Sequence, residues 1–362
     1  CGNFLIIAYR ELRELEILVL KVLYSQDQRV LDVNEMSHID VDQFHGIEFE
    51  EFPARIAEVA LWLVDHQMNM KLSEAFGQYY VRIPLRKSAH IVHGNALTLD
   101  WKEVVQPSQL SYILGNPPFV GHQYRSESQA TDMKLIWGID GKFRRLDYVT
   151  CWYQKAAHYL EHNRKIVAAF VSTNSITQGE QASILWSELF ANKVYIHFAH
   201  RTFQWASDAR GKAAVHCVII GFALYDILSK ALFDYDTPKS APHLVQAKNI
   251  NGYLIDALNI ALPSRTKPRN GFPQMLKGSQ PTDGGYLILS DLEKEQLIRQ
   301  EPAAADWIKQ YIGGEELLSG KTRWCLWLKG ISPTELKEMS KVLERVEGVK
   351  TVRLKSSTKS VR

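Results

Sequence analysis

The chain has 362 residues, of which 46% are hydrophobic and 23% charged, and this ordinary globular composition leaves room for about two domains. It contains no apolar run long enough to cross a bilayer and no charged-then-apolar leader, so we expect no membrane span, no secretory signal and a cytoplasmic location. Its four cysteines are widely spaced and form no CxxC pair, which argues against a zinc site or a disulfide framework, and we predict no metal.

Strands and helices alternate along the first two thirds of the sequence. Apolar residues recur at helical spacing over 4–24, and Pro53 suits the first turn of a second helix at 52–68. Further patterns predict helices at 147–161 and 181–190 and strands at 44–49, 90–93, 110–115, 165–172, 194–199 and 213–223. Such alternation is typical of α/β folds with a parallel sheet. Because a loop without an obvious helix joins the last two strands, we predict that they pair antiparallel at one edge.

Polar residues follow three of the predicted strands at the point where each strand ends. Glu48 ends the first, Gly94 and Asn95 follow the second, and Asn116 follows the third. Ligands of doubly wound sheets sit beyond the carboxyl ends of the strands. The sequence therefore predicts one binding site at this edge.

Three residues near this edge suit a cofactor that contains a nucleoside. The carboxylate of Glu48 can accept hydrogen bonds from both hydroxyls of a ribose, and the alternative is a surface glutamate beside Glu50. Gly2 would let the backbone approach the cofactor at the N-terminus of the first helix, which favours negative groups such as a carboxylate. The amide of Asn95 would reach an adenine ring, or Asn95 is simply a turn residue after Gly94.

The most informative motif is Asn116-Pro117-Pro118-Phe119. The amide oxygen of Asn116 and the carbonyl of Pro117 can accept the two hydrogens of an exocyclic amine, which frees its lone pair to attack an activated methyl group. The prolines fix the loop, and Phe119 offers a face on which an extruded base can stack. The alternative is an Asn-Pro turn followed by a buried phenylalanine.

Charge and composition change after residue 225, where glycine and proline become frequent. Residues 243–362 hold 19 Lys and Arg against 13 Asp and Glu, a net charge of +6, whereas residues 1–242 hold 24 against 27, a net charge of −3. We therefore predict a catalytic domain at 1–225 and a polyanion-binding domain at 243–362, the alternative being a solvated surface of mixed charge. The candidate phosphate contacts are Lys248, Arg265, Lys267, Arg269, Lys277 and Arg323.

Taken together, several segments resemble the adenine-N6 DNA methyltransferases, specifically the MmeI-like group of combined restriction–modification enzymes. In the catalytic part, the matching segments are 1–5, 46–48, 54–57, 94–97, 115–121, 147–149, 170–176 and 203–221. Segments 280–285 and 323–328 resemble the beginning of the target-recognition domain of that group.

The resemblance implies a class I S-adenosylmethionine-dependent methyltransferase fold, which is Rossmann-like with a mainly parallel sheet and an antiparallel edge strand, followed by part of a mixed target-recognition domain. It implies S-adenosylmethionine as cofactor, double-stranded DNA as partner and N6 of a flipped adenine as methyl acceptor. The implied catalytic residues are Asn116, Pro117, Pro118 and Phe119, and the matching segments add Phe4, Ala96 and Asn116 to the cofactor-binding residues. The cofactor loop of the group begins with an Asp-Pro-x-Cys-Gly stretch, of which this sequence has only the end. We therefore expect this chain to be part of a longer polypeptide, and the resemblance leaves open whether a nuclease domain or subunit is a further partner.

Other chemistries remain to be separated from this one. Methyltransferases of RNA bases or of a protein glutamine also use Asn-Pro-Pro-aromatic loops, and a catalytically dead DNA-binding remnant is a third reading. Cytosine-C5 methylation fits less well because it uses a cysteine nucleophile, usually beside a proline, and the sequence has no Pro-Cys pair.

Overall fold

The chain forms two compact units, Cys1–Arg265 and Thr266–Arg362. The computed structural model describes residues 2–24, 37–77, 88–139, 141–205, 215–265, 267–268, 271–274, 276, 278 and 280–356. The predicted second domain begins at residue 243, whereas the compact units divide between Arg265 and Thr266. Of the helices in the described ranges, none combines the length and the apolar character that a bilayer crossing requires.

The described strands of the first unit form two sheets. They are β1 (His45–Glu48), β2 (His90–His93), β3 (Tyr112–Gly115), β4 (Val167–Thr173), β5 (Tyr195–Trp205), β6 (Val215–Ala223), β7 (Lys230–Asp234) and β8 (His243–Ala247). Strands β1 and β2 pair in parallel, and the other six form one sheet in the order β3-β4-β6-β5-β7-β8. Within the described ranges, no strand joins β1 to β3, so the single predicted sheet is divided there.

The predicted antiparallel pair lies inside the six-stranded sheet and not at its edge. Strands β5 and β6 pair antiparallel as the sequence indicated, but β6 lies between β4 and β5. The edge prediction was wrong for this pair because β7 adds in parallel outside β5, and β8 adds antiparallel outside β7. The antiparallel edge strand of this sheet is β8, which the apolar pattern did not indicate.

The helices of the first unit flank these sheets. They are α1 (Asn3–Leu23), α2 (Glu51–Phe76), α3 (Trp101–Val104), α4 (Glu127–Trp137), α5 (Thr150–Leu160) and α6 (Gly179–Ala191). Helix α2 runs well past the predicted end at residue 68 because Leu72, fully buried, continues its packed face. It ends at Gly77, whose left-handed φ of 64° suits glycine.

Among the described residues of the first unit, two hydrophobic cores pack helices against strands. The main core packs α5 and α6 against the six-stranded sheet, with the rings of Tyr153 and Phe222 stacked at 5.4 Å between centroids. A second core lies between α1 and α2, around Tyr9 and Leu61. Ile47 of β1 packs against the main core, and this contact places the two-stranded sheet next to the core of the six-stranded sheet.

The second unit is a small mixed domain. Its described strands are β9 (Ile288–Leu289), β10 (Ile308–Tyr311) and β11 (Arg323–Leu326), antiparallel in the order β10-β11-β9. Its described helices are α7 (Asp291–Gln300), α8 (Gly314–Ser319), α9 (Pro333–Glu338) and α10 (Ser340–Leu354). The core of this unit contains Leu289, Leu326 and Val342.

Candidate functional site

The ends of β1 and β2 are joined directly. The backbone N–H of Gly94 donates to the carbonyl of Glu48 at 2.8 Å, so the two polar motifs predicted from the sequence are neighbours. The carboxylate of Glu48 is half-buried and accepts a hydrogen bond from the backbone N–H of Phe49 at 2.9 Å. One carboxylate oxygen is thereby oriented by the backbone at the carboxyl end of the strand.

The start of α1 packs tightly against α2 and β1. Gly2 has a left-handed φ of 72°, and a Cβ built on it would lie 2.7 Å from Cβ of Ala57. A Cβ on Gly46 would lie 3.2 Å from Cδ1 of Leu5, so α1 also lies close over β1. Among the described residues, no side chain at the N-cap position bonds the first turn of α1, and the first amides of this helix suit an anionic group. Phe4, in the same turn, is exposed.

Side chains donate hydrogen bonds to the backbone carbonyls of the loop after β2. The carbonyl of Ala96 accepts from Nε1 of Trp101 at 2.8 Å, and Nζ of Lys155 donates to the carbonyls of Leu97 at 2.7 Å and Leu99 at 2.5 Å. Burial lowers the pKa of Lys155. These hydrogen bonds fix the conformation of the loop that carries Asn95.

Asn95 is bonded on both sides of its amide. Its Oδ1 accepts from the backbone N–H of Leu97 at 2.9 Å, and its Nδ2 donates to Oδ2 of Asp132 at 3.1 Å. The same Oδ2 accepts the hydroxyl of Tyr148 at 2.5 Å. Asp132 is only 8% exposed, and its two donors offset the cost of burying the carboxylate. Burial, and then this hydrogen bond, raise the pKa of Tyr148.

The Asn-Pro-Pro-Phe corner directly follows β3. Asn116 and Pro118 are exposed, Pro117 is buried and Phe119 is half-buried. Within the described part of the chain, the amide of Asn116 makes no hydrogen bond, in contrast to the amide of Asn95. The amide of Asn116 is thus exposed, whereas the residue that follows it, Pro117, is buried.

The far side of this corner is fastened by the residues that precede α5. The backbone N–H of Tyr148 donates to the carbonyl of Val120 at 3.0 Å. The carboxylate of Asp147 accepts from the backbone N–H of His122 at 3.3 Å and from the hydroxyl of Ser175. These contacts fix the loop four to six residues after Asn116.

Sequence reasoning missed three residues that shape this site. Asp132, Tyr148 and Lys155 hold the loops that carry Asn95 and Asn116. Tyr148 had a signal, because it lies in a segment that resembles the family. Asp132 had none, since a single aspartate on a helix is indistinguishable from a surface charge.

The predicted DNA-contacting residues are distributed over both units. Lys248 and Arg265 are exposed in the first unit, and Lys267 is exposed in the second. The guanidinium of Arg323 bonds Glu316 and lies 5.3 Å from the ring centroid of Tyr311, so its charge already has a protein partner. Arg269 and Lys277 lie outside the described residues, as do residues 206–214 within the late motif 203–221.

Comparisons with known proteins point to a single family. Residues 1–234 match the family model described as MmeI, DNA-methyltransferase domain, and residues 256–362 match the one described as MmeI, target recognition domain. Over 362 residues the chain is 38% identical to DNA methyltransferase A of Bacillus subtilis (strain 168), with 99% of this chain and 40% of that protein covered. The structure of the Type IIL restriction-modification enzyme MmeI in complex with DNA matches with a TM-score of 0.92 at 49% identity, over 100% of this chain and 48% of that one.

The α/β unit, with polar residues gathered at its strand ends, defines the class as class I methyltransferases, as the sequence predicted. The chain belongs to the MmeI family of DNA methyltransferases, with that family's methyltransferase domain followed by its target recognition domain. It spans less than half the length of both relatives.

Proposed function

We propose that this chain provides the site that methylates N6 of an adenine flipped out of double-stranded DNA, with S-adenosylmethionine as the methyl donor, in a restriction–modification system. The single observation that carries the proposal is Asn116, whose exposed amide has no hydrogen-bond partner in the described part of the chain. An amide kept available beside a buried proline is what recognition of an amine requires.

The residues of the chain would activate the amine by positioning it. The side-chain oxygen of Asn116 and the carbonyl of Pro117 accept its two hydrogens, which draws the nitrogen lone pair out of conjugation with the ring. Phe119 is half-buried, so one face remains on which the extruded base can stack. The nitrogen is then aligned for in-line displacement, and its extra proton leaves to solvent after transfer.

The groups at the other strand ends fit S-adenosylmethionine. The carboxylate of S-adenosylmethionine fits the first turn of α1, where Gly2 has no side chain to block its approach. Glu48 suits the ribose hydroxyls, and Asn95 suits the adenine ring. Phe4 lies in the first turn of α1, and Ala96 follows Asn95 in the loop after β2, so both are neighbours of these groups along the chain. When bound, this group supplies an electrophilic methyl on a sulfonium, which leaves as a neutral thioether.

The test is a labelled-methyl assay that offers duplex DNA, RNA and protein side by side to the full natural protein that carries this chain. We expect label only in DNA and only as N6-methyladenine after digestion to nucleosides. Label in RNA or in protein glutamine would overturn the proposed substrate. Long-read sequencing of the modified DNA would then identify the recognised site.

Asn116→Ala tests the proposed role of the amide. We expect this variant to lose methyl transfer by at least about 100-fold, the usual scale for removal of one positioned polar group, and to lose far less of its affinity for S-adenosylmethionine. Asn192→Ala is the matched control, because Asn192 follows α6 and precedes β5, at the amino end of that strand. Retained transfer in Asn116→Ala would contradict the role assigned to the amide.

A further inference from the structure

Asp132 and Tyr148 lie between the two loops of the proposed site. Oδ2 of Asp132 receives both the amide of Asn95 at 3.1 Å and the hydroxyl of Tyr148 at 2.5 Å. Asp132 lies on α4, Asn95 follows β2 and Tyr148 precedes α5, so three separate elements meet at one buried oxygen. Neither Asp132 nor Tyr148 has a place in the methyl-transfer chemistry.

The buried carboxylate determines which way the Asn95 amide faces. Because Asp132 can only accept when it is ionised, it requires the NH2 end of Asn95, and the oxygen end then meets the N–H of Leu97 at 2.9 Å. One N–H of the amide and one lone pair of its oxygen remain for a ligand. Such a donor–acceptor pair matches one edge of an adenine ring.

The other connection runs through the backbone of the same tyrosine. The N–H of Tyr148 holds the carbonyl of Val120 at 3.0 Å, four residues after Asn116. A shift of Tyr148 that follows a change at Asn95 therefore displaces the loop that holds the target amine. Tyr148 is 5% exposed and its ring lies edge-on to Trp152 at 5.3 Å, so it has little room to move independently.

We infer that Asp132 and Tyr148 form a positioning pair that couples cofactor binding at Asn95 to capture of the target base at Asn116. The inference rests on the proposed function, because it takes Asn95 and Asn116 as the two binding positions. Coupling of this kind is reciprocal, so DNA should tighten the cofactor pocket by the factor with which the cofactor tightens DNA binding. The alternative is that the pair only packs α4 against α5.

The experiment measures the affinity for S-adenosylhomocysteine by calorimetry, with and without a duplex that carries the recognised site, in the full natural protein. For the wild type we expect the duplex to tighten binding by a factor on the order of 5 to 150, the usual range for coupled sites. Tyr148→Phe keeps the ring and removes only the hydroxyl, so we expect it to lose most of that factor. Asp132→Asn should weaken binding even without DNA, because the new side chain lets the Asn95 amide turn around.

Tyr153→Phe is the matched control. Tyr153 lies on α5, is fully buried and bonds the hydroxyl of Ser172 at 2.8 Å, outside the network of Asp132. We expect it to lower thermal stability about as much as Tyr148→Phe and to leave the coupling factor unchanged.

The possible outcomes separate the inference from the proposed function. An unchanged coupling factor in Tyr148→Phe, or an equal loss of coupling in Tyr153→Phe, would overturn the inference while methyl transfer still stands. A wild type that binds S-adenosylhomocysteine without coupling to DNA overturns it as well. A wild type that transfers no methyl group removes the proposed function itself. If Tyr148→Phe does not fold, Asp132→Asn takes its place. A coupling factor lost in Asp132→Asn but kept in Tyr153→Phe supports the inference, and equal coupling factors in the two variants overturn it.

Discussion

At the scale of single residues, the two asparagines of the proposed site differ in their hydrogen bonding. The amide of Asn95 is fixed at both ends, by Leu97 and by Asp132. The amide of Asn116 is left without a partner in the described ranges, although the next residue, Pro117, is buried. In the proposed function, Asn95 matches one edge of the cofactor's adenine ring, which requires an amide of fixed orientation. Asn116 binds the amine of the target base, which requires an amide that is still available for hydrogen bonds.

Glu48 provides a test at this scale. If its carboxylate accepts from both ribose hydroxyls, Glu48→Gln replaces one acceptor by a donor and should weaken S-adenosylmethionine binding by about tenfold, which corresponds to about 1.4 kcal/mol. Calorimetry measures the effect. Glu50→Gln is the control, because Glu50 is exposed and makes no side-chain cap on α2. Equal affinities in Glu48→Gln and wild type would remove the ribose role.

At the scale of elements, the β1–β2 pair has an unusual internal contact. In register, His45 faces His90, and their rings stack at 5.1 Å between centroids with 10° between planes. Nδ1 of His45 is buried and has no hydrogen-bond partner among the described residues. Burial, and then the neighbouring His90, lower the pKa of His45, with Asp42 acting in the opposite direction.

This contact makes the stability of the first unit sensitive to acid. The folded-state pKa of His45 lies below its ordinary value of 6.5, so the unfolded chain binds the proton first as the pH falls. Stability contributed by neutral His45 is therefore complete above pH 6.5 and is lost as the pH decreases below it.

Thermal unfolding across about pH 5 to 8 tests this prediction. We expect His45→Phe, which keeps a stacking ring, to flatten the pH dependence. His93→Gln should leave it as in wild type, because His93 is exposed at the end of the same pair of strands. An acid profile unchanged in His45→Phe would contradict the assignment.

At the scale of the whole molecule, the chain combines a larger α/β unit with a smaller mixed unit. The basic excess lies in the last third, where residues 243–362 carry 19 Lys and Arg against 13 Asp and Glu, a net of +6. Part of that charge is already paired, because Arg323 contacts Glu316 and Lys321 contacts Glu315. Lys248 and Arg265 are exposed and form no salt bridge within the described ranges, so they are the better candidates for phosphate contacts.

The salt dependence of DNA binding checks this choice. If Lys248 and Arg265 each neutralise one phosphate, replacing either with glutamine should reduce the slope of log K against log salt by about one. Lys71→Gln is the control, because Lys71 pairs with Glu14 on the α1–α2 helices. A slope that is the same in all three variants and in wild type would exclude both residues as phosphate contacts.

Most of the architecture could be predicted from the sequence because strand and helix periodicity is local. Strand β2 lies at its predicted residues, and the antiparallel pairing of β5 with β6 followed from the absence of a crossover helix. Strand β7 and the edge strand β8 were missed, since short strands with partly exposed faces lack a strong apolar pattern.

The sequence by itself determined the class of protein and the strand ends at which polar residues gather, because motif chemistry and strand–loop boundaries are written in neighbouring residues. Only the tertiary structure decided that Asp132 orients Asn95 and that Tyr148 connects this amide to the loop of Asn116. The physical reason is burial. A carboxylate must find its donors wherever packing places them, and those donors lie far away along the chain.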